Sequence, residues 1–316
     1  MQILNNSNID FIRWRFHAIA LSALVLLVGV GLMVSRGGLP MGVDFTGGTI
    51  VVVKFQQAVG EDAVRRALDG LPGEKVVQSY GDPSENEVLV RLPQIGEEEG
   101  ANLEEGARAV VGAIEGAGLG GFEVLSTEIV GPVIGRELQL KGIYATISSL
   151  VGILLYIWLR FRLTFAAGAI VATLHDVLVT LAFLSFFGYE LSLNLVAAIL
   201  TITGYSVNDT IVIFDRVREN LRSMRREPLE QVVNLSVNQT LPRTIITSGT
   251  TLMAVITLFA FGGEVLKPFA FAMIVGIIAG TYSTVFIAAA IAILLSGKAA
   301  AGRAASAVPA RAAAGR

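Results

Sequence analysis

The sequence predicts an α-helical polytopic membrane protein with six transmembrane helices and one external α/β domain between helices one and two. Three observations predict it. The 316 residues are 53% hydrophobic and only 16% charged, with a mean hydropathy of +0.66, which leaves too little polar surface to cover a water-soluble body of this size. Six stretches are long and apolar enough to cross a hydrocarbon core of about 30 Å, which takes about 20 helical residues. A hydrophilic segment of about 100 residues separates the first from the second, enough for one small domain.

The first span, 16–35, follows Arg13 and Arg15 and has the charge pattern of a signal peptide. It is longer than an ordinary signal core, and Ser35-Arg36-Gly37-Gly38 is a poor small-x-small cleavage site, so it reads as retained. The other spans fall at about 138–159, 163–187, 191–214, 242–262 and 268–295. Lys and Arg set the orientation. Arg13 and Arg15 precede span one, Arg160 and Arg162 join spans two and three, and Arg216, Arg218, Arg222, Arg225 and Arg226 follow span four. Lys298, Arg303 and Arg311 follow span six, whereas the opposite short loops hold only Glu190, Glu264 and Lys267. Both termini are therefore expected in the cytoplasm. The long loop carries seventeen Asp and Glu against eight Lys and Arg between 36 and 137, but long loops cross largely regardless of charge.

The division that follows is a cytoplasmic N-terminus at 1–15, helix one at 16–35, an external domain at 36–137 and helices two to six within 138–296. A cytoplasmic amphipathic segment at 215–241 interrupts the last group, and an Ala/Gly/Arg-rich tail at 297–316 is expected to be disordered. Within the external segment Thr49–Phe55 is a β-branched run, Glu61–Leu68 is helical, and Lys75–Tyr80 and Glu87–Leu92 read as strands around Gly81-Asp82-Pro83. Asn102–Ile114 is a second helix and Phe122–Ile129 a last strand. The order βαββαβ is that of the ferredoxin-like split βαβ motif.

Composition also excludes chemistry. The absence of cysteine removes disulfides, thiolate metal sites and thiol nucleophiles. His17 and His175 lie far apart with no ligand-spaced company, so no metal or cofactor is expected, and a net charge of −2 gives no reason to expect nucleic acid. What remains is a set of ionisable groups inside spans, each costing about 2.5–3.5 kcal/mol or more at bilayer depth. They are Asp176 in span three, Asp209 in span four and Arg243 at the expected start of span five.

Asp209 and Arg243 sit near the same end of two antiparallel spans, hence at similar depth. Asn194, Thr201, Tyr205 and Asn208/Asp209 fall on one face of span four, and Arg243, Thr247, Thr250, Ala254 and Thr257 on one face of span five. Such stripes line wet paths or let helices approach closely. The plainer readings are a structural ion pair, or an Arg243 that snorkels to the interface; the functional one is a proton relay. Asp176 has Thr173 and Thr180 on its own face, while the adjacent His175 points about 100° away, so the two need not touch. His175 is a further relay candidate because imidazole titrates near neutral pH. Ala272, Gly276, Gly280, Thr284 and Ala288 form a small-residue packing seam in span six. The run from Arg216 to Arg226 has the spacing of an amphipathic interfacial helix. Gly42-Val43-Asp44-Phe45-Thr46-Gly47-Gly48-Thr49 lacks the Gly-Lys-Ser/Thr ending of a phosphate loop and reads as a turn feeding the first strand.

Together the motifs resemble the SecF family of protein-export membrane subunits, within the resistance-nodulation-division superfamily. The resemblance rests on Asp44-Phe45-Thr46-Gly47-Gly48, His175-Asp176, Gly204-Tyr205-Ser206-Val207-Asn208-Asp209-Thr210-Ile211-Val212 with Asp215-Arg216-Val217-Arg218-Glu219, and Arg243-Thr244-Ile245-Ile246-Thr247-Ser248-Gly249-Thr250-Thr251. It covers about residues 8 to 296. It implies a multi-pass half-transporter of the bacterial inner membrane that pairs with a separate SecD and associates with the SecYEG channel and YajC. With SecD it would use the proton gradient to draw preproteins outward after SecA has driven them through the channel. In that family the residues matching Asp209 and Arg243 lie on the proton path. The rival readings are a small-molecule or lipid exporter half, an intramembrane aspartyl protease built on Asp176 and Asp209, and a passive scaffold in which the buried charges only specify packing.

Overall fold

The computed structural model describes residues 7–73, 75–92, 103–161 and 163–297. A 3₁₀ turn at Ile12–Trp14 leads into α1 (Arg15–Ser35), and a short α2 (Val43–Thr46) opens the α/β domain. There follow β1 (Gly48–Phe55), α3 (Glu61–Ala67), β2 (Val76–Tyr80), β3 (Glu87–Leu92), α4 (Leu103–Gly116) and β4 (Phe122–Val130). The helices α5 (Pro132–Arg160), α6 (Leu163–Phe186), α7 (Leu193–Ser223), α8 (Leu229–Phe261) and α9 (Gly263–Ser283) complete the described residues, α9 continuing through a π-helical turn at Thr284–Ala288 to Gly297. Six of these helices are long and apolar enough to cross a membrane.

The four strands form one sheet of order β2-β3-β1-β4, every adjacent pair antiparallel. β-branched side chains on a pleated surface give β1 its character. Val51, Val53 and Phe55 on its inner face join Val77, Val88, Val90 and Leu92, over which α3 and α4 lay Val64, Leu68, Val110 and Ile114. The elements sit within a residue or two of their expected positions; Asn102, expected to open the second helix, lies outside the described residues, as do Arg162 and 298–316.

In the bundle, α9 is central: 67% of its most apolar stretch is buried, against 6% for α5 and 11% for α1. Its small-residue seam explains the close approach. A β-carbon on Gly276 would lie 2.5 Å from Ile202 of α7, so only glycine lets the two backbones meet here. The peripheral helices instead turn side chains such as Leu27, Leu159 and Phe261 outward, where lipid is as good a solvent as protein.

Three boundaries differ from the sequence reading. α5 starts six residues early, because Gly131-Pro132 directly follows β4 and proline suits a first helical turn. α7 and α8 absorb most of the expected separate segment at 215–241: both helices run on and form a hairpin, closed by Asn220 Nδ2 donating to Ser236 Oγ and Gln239 Oε1, each at 2.9 Å. Pro242, at the first position expected for span five, is inside α8. A proline there leaves the carbonyl four residues earlier unbonded within the helix; that carbonyl, on Asn238, takes the Ser7 hydroxyl at 3.5 Å. The N-terminal segment is held along the same helix, with Ile9 N–H donating to Asn238 Oδ1 and Phe11 N–H to Asn234 Oδ1, each at 2.9 Å.

Candidate intramembrane polar site

The two intramembrane carboxylates lie in the central helices, and both are buried, Asp176 to 1% and Asp209 to 4% exposure. Asp176 is on α6 where α7 and α9 cross it. Its Oδ2 accepts from Ser206 Oγ of α7 at 2.5 Å and from Ser283 Oγ of α9 at 2.8 Å. Its Oδ1 lies 2.9 Å from His175 Nδ1, so the adjacent pair does touch. The helical 100° step alone does not bring neighbours together, but an imidazole is long enough to curl back to its neighbour's carboxylate. Thr180 returns its hydroxyl to the Asp176 carbonyl at 2.8 Å and takes no part.

Asp209 is supplied differently. Ser248 Oγ of α8 donates to its Oδ2 at 3.4 Å, the one side-chain donor found for it among the described residues. Ser248 in turn lies 3.0 Å from Thr281 Oγ1 of α9 and 3.5 Å from the Tyr205 hydroxyl. The described ion pairs within and between the long helices are Arg15–Glu230, Lys141–Glu137, Arg160–Asp215, Arg216–Glu219 and His175–Asp176. Asp209 with Arg243 is not among them, and Arg243 is on the exposed side of α8.

The polar stripes also divide. Asn208 is exposed while Asp209 is buried, and Asn194, Thr201 and Gly204 share the exposed face of α7. Arg243, Thr250, Ala254 and Thr257 are exposed on α8, with Thr247 half-buried. Thr201, Thr247, Thr250 and Thr257 donate their hydroxyls to carbonyls of their own helix at 2.8–3.0 Å, which removes most of the cost of presenting them to an apolar medium. The residues missed by sequence reasoning are the serines and threonine that fill out the site, Ser206, Ser248, Thr281 and Ser283. Ser206 stood inside the quoted Gly204–Val212 motif, but a lone serine in a span carries no signal until a neighbouring helix supplies the carboxylate.

Asp44, Phe45, Thr46, Gly47 and Gly48 lie away from this site, forming α2 and the first residue of β1 where the α/β domain joins the bundle.

The geometry first defines a class: a multi-pass membrane protein with polar groups sealed inside its helix bundle and one α/β domain at one end. Residues 113–298 match the family described as protein export membrane protein SecD/SecF, C-terminal, and residues 34–59 match the SecD/SecF GG motif. The protein translocase subunit SecF of Desulfurispirillum indicum is 43% identical over 286 residues, 89% of either chain. That of Rhodothermus marinus is 42% identical over 96% of this chain and 98% of its own, and that of Escherichia coli O157:H7 is 38% identical over 92% and 88%. The crystal structure of SecDF, a translocon-associated membrane protein from Thermus thermophilus, superposes with a TM-score of 0.82 at 35% identity, over 94% of this chain; the chain spans 40% of the length of that SecDF. The chain belongs to the SecF family of protein translocase subunits.

Proposed function

We propose that this chain is one six-span half of a proton-driven protein-export machine in the bacterial inner membrane, and that SecD supplies the other half. Both termini lie in the cytoplasm and the α/β domain lies outside, as the distribution of Arg and Lys favours. The βαββαβ order and the strand order β2-β3-β1-β4 support a ferredoxin-like domain. The machine acts with the SecYEG channel, YajC and SecA on preproteins.

The observation that carries this reading is Asp209: a buried carboxylate with one long hydrogen bond, beside an outward polar face that bears Asn208 and Arg243. A carboxylate so poorly supplied is costly at membrane depth, and such groups mark ion paths. The open face supports its completion by a partner bundle, which would bring Arg243 and Asn208 into a shared, wet interface with Asp209 behind it. Tyr205, Thr247 and Thr250 line that approach. Protonation of Asp209 changes its attraction to Arg243, and with it the preferred packing of α7 on α8. A charge crossing the membrane field contributes about 2.3 kcal/mol per 100 mV, enough to bias such a two-state element. Asp176 and His175, the other relay candidates, are held by each other and by Ser206 and Ser283 and give this scheme the fixed packing of α6, α7 and α9 against which α8 moves.

The test is Asp209→Asn in the assembled complex, with export read in inverted membrane vesicles. The expected outcome is loss of the gradient-dependent part of export with assembly intact. Unchanged gradient-dependent export would refute the proposal and leave the buried charges as packing determinants.

A further inference from the structure

Asp44 and the start of α7 are separated by 149 residues in sequence, yet they touch. After α1 the chain runs alongside the residues that precede α7: Gly42 N–H donates to Leu191 O and Leu191 N–H to Pro40 O, each at 2.8 Å. Directly beyond, in α2, Asp44 Oδ2 accepts from Leu193 N–H at 2.8 Å. Ser192 Oγ accepts from Leu195 N–H at 3.3 Å. A helix start leaves four N–H groups without partners, and α7 therefore has two caps. One comes from its own Ser192; the other is a carboxylate, the charge a helix N-terminus favours, delivered by the segment that enters the α/β domain.

The other side of α2 is clamped by packing. Val43 and Phe45 are buried, and a β-carbon on Gly135 of α5 would lie 3.0 Å from Phe45 O and 3.1 Å from Gly47 N. Gly47, at φ +73°, then turns the chain into β1, an inner strand of the sheet. A second link runs parallel to the cap, since Arg91 of β3 forms an ion pair with Glu190, two residues before Ser192. The α/β domain is thus tied to the N-terminus of the helix that carries Asp209, about 24 Å further along at 1.5 Å per residue.

We propose that Asp44 is a positioning residue of the export cycle, its cap on α7 making α2 the joint through which a shift of α7 reaches the α/β domain. This rests on the reading of Asp209 given above. A continuous helix transmits a slide or rotation along its length, and packed elements switch between discrete arrangements rather than deforming gradually. A displaced α7 must therefore either break its cap and the Arg91–Glu190 pair or carry β1 and β3 with it.

The experiment uses the full chain assembled with its six-span partner in lipid vesicles. The chain contains no cysteine, so Val34→Cys on α1 and Ser84→Cys in the β2–β3 turn, both exposed, take one spin label each. The distance between them is followed with and without a proton gradient. Asp44→Asn keeps an oxygen that can accept from Leu193; Asp44→Ala does not. The alanine variant should assemble at the parental level while the gradient-driven distance change and gradient-dependent export fall about fivefold or more, the scale of ordinary coupling between sites. The asparagine variant should retain most of both. A full distance change in the alanine variant overturns the proposal, as does a parallel loss of assembly and coupling in both variants. Should the alanine variant alone assemble poorly, Glu190→Gln carries the test: reduced motion supports the joint and unchanged motion overturns it. Asp209→Asn runs alongside. Motion lost in Asp44→Ala but kept in Asp209→Asn leaves the joint standing and removes the proton-site reading; the reverse removes the joint alone.

Discussion

Asp176 and Asp209 sit on neighbouring central helices, are both buried, and are served in opposite ways. Asp176 has two serine hydroxyls and an imidazole from three directions, so it pins α6, α7 and α9 together. Asp209 has one serine at 3.4 Å and borders the exposed polar face of α7 and α8. Burial alone does not separate a fastening from the switch proposed at Asp209; the two sites differ in their number of donors. A carboxylate whose lone pairs are matched loses those bonds when it is neutralised or moved, whereas one with a single weak donor has little to lose.

The comparison breaks most visibly if the two aspartates are truncated side by side. Asp176→Ala leaves Ser206 and His175 without this carboxylate and Ser283 with only the Gly280 carbonyl at 3.2 Å, and should cost about 2 kcal/mol or more of bundle stability, since each stranded buried polar group costs about 1–3 kcal/mol. Thermal unfolding of the purified chain in detergent checks this, and Asp209→Ala should shift the same midpoint far less. Equal shifts would mean that the donors do not distinguish the sites.

A finer version compares single hydroxyls. Ser283→Ala should lower stability by about 1 kcal/mol, with little change in gradient-dependent export per assembled complex. Ser248→Ala should do the reverse, leaving the unfolding midpoint nearly in place and altering the pH profile of export.

The smallest effect lies outside the membrane. Glu61 of α3 accepts from both the amide and the hydroxyl of Ser79 in β2, each at 2.8 Å, and these bonds hold its carboxyl below the ordinary value of 4.5. A lowered folded-state pKa stabilises above the unfolded value and is lost as pH falls through the folded one. Amide-exchange protection of β2 should therefore weaken modestly on acidification below pH 4.5, and Glu61→Gln should remove that dependence.

Much of this was legible in the chain. Spans, strands, the seam on α9 and the two aspartates follow from local patterns, because hydropathy and side-chain periodicity act over one or two turns. The start of span five, expected at 242, falls inside α8 for the same reason: hydropathy marks only the apolar part of the helix, while the turns before it are held by the N-terminal segment at Asn234 and Asn238. Asn208 and Asp209 were indistinguishable as a face; rotation against α9 sent one outward and the other in.

The sequence by itself determined that this protein has six helices long and apolar enough to cross a membrane, one α/β domain, and carboxylates where lipid would make them costly. Tertiary structure alone decided which carboxylate is fastened, that Arg243 faces outward rather than pairing with Asp209, and that Asp44 caps a helix 149 residues away. Hydrogen-bond donors come from other helices, and which donor meets which acceptor depends on how those helices are turned and how closely glycine lets them approach.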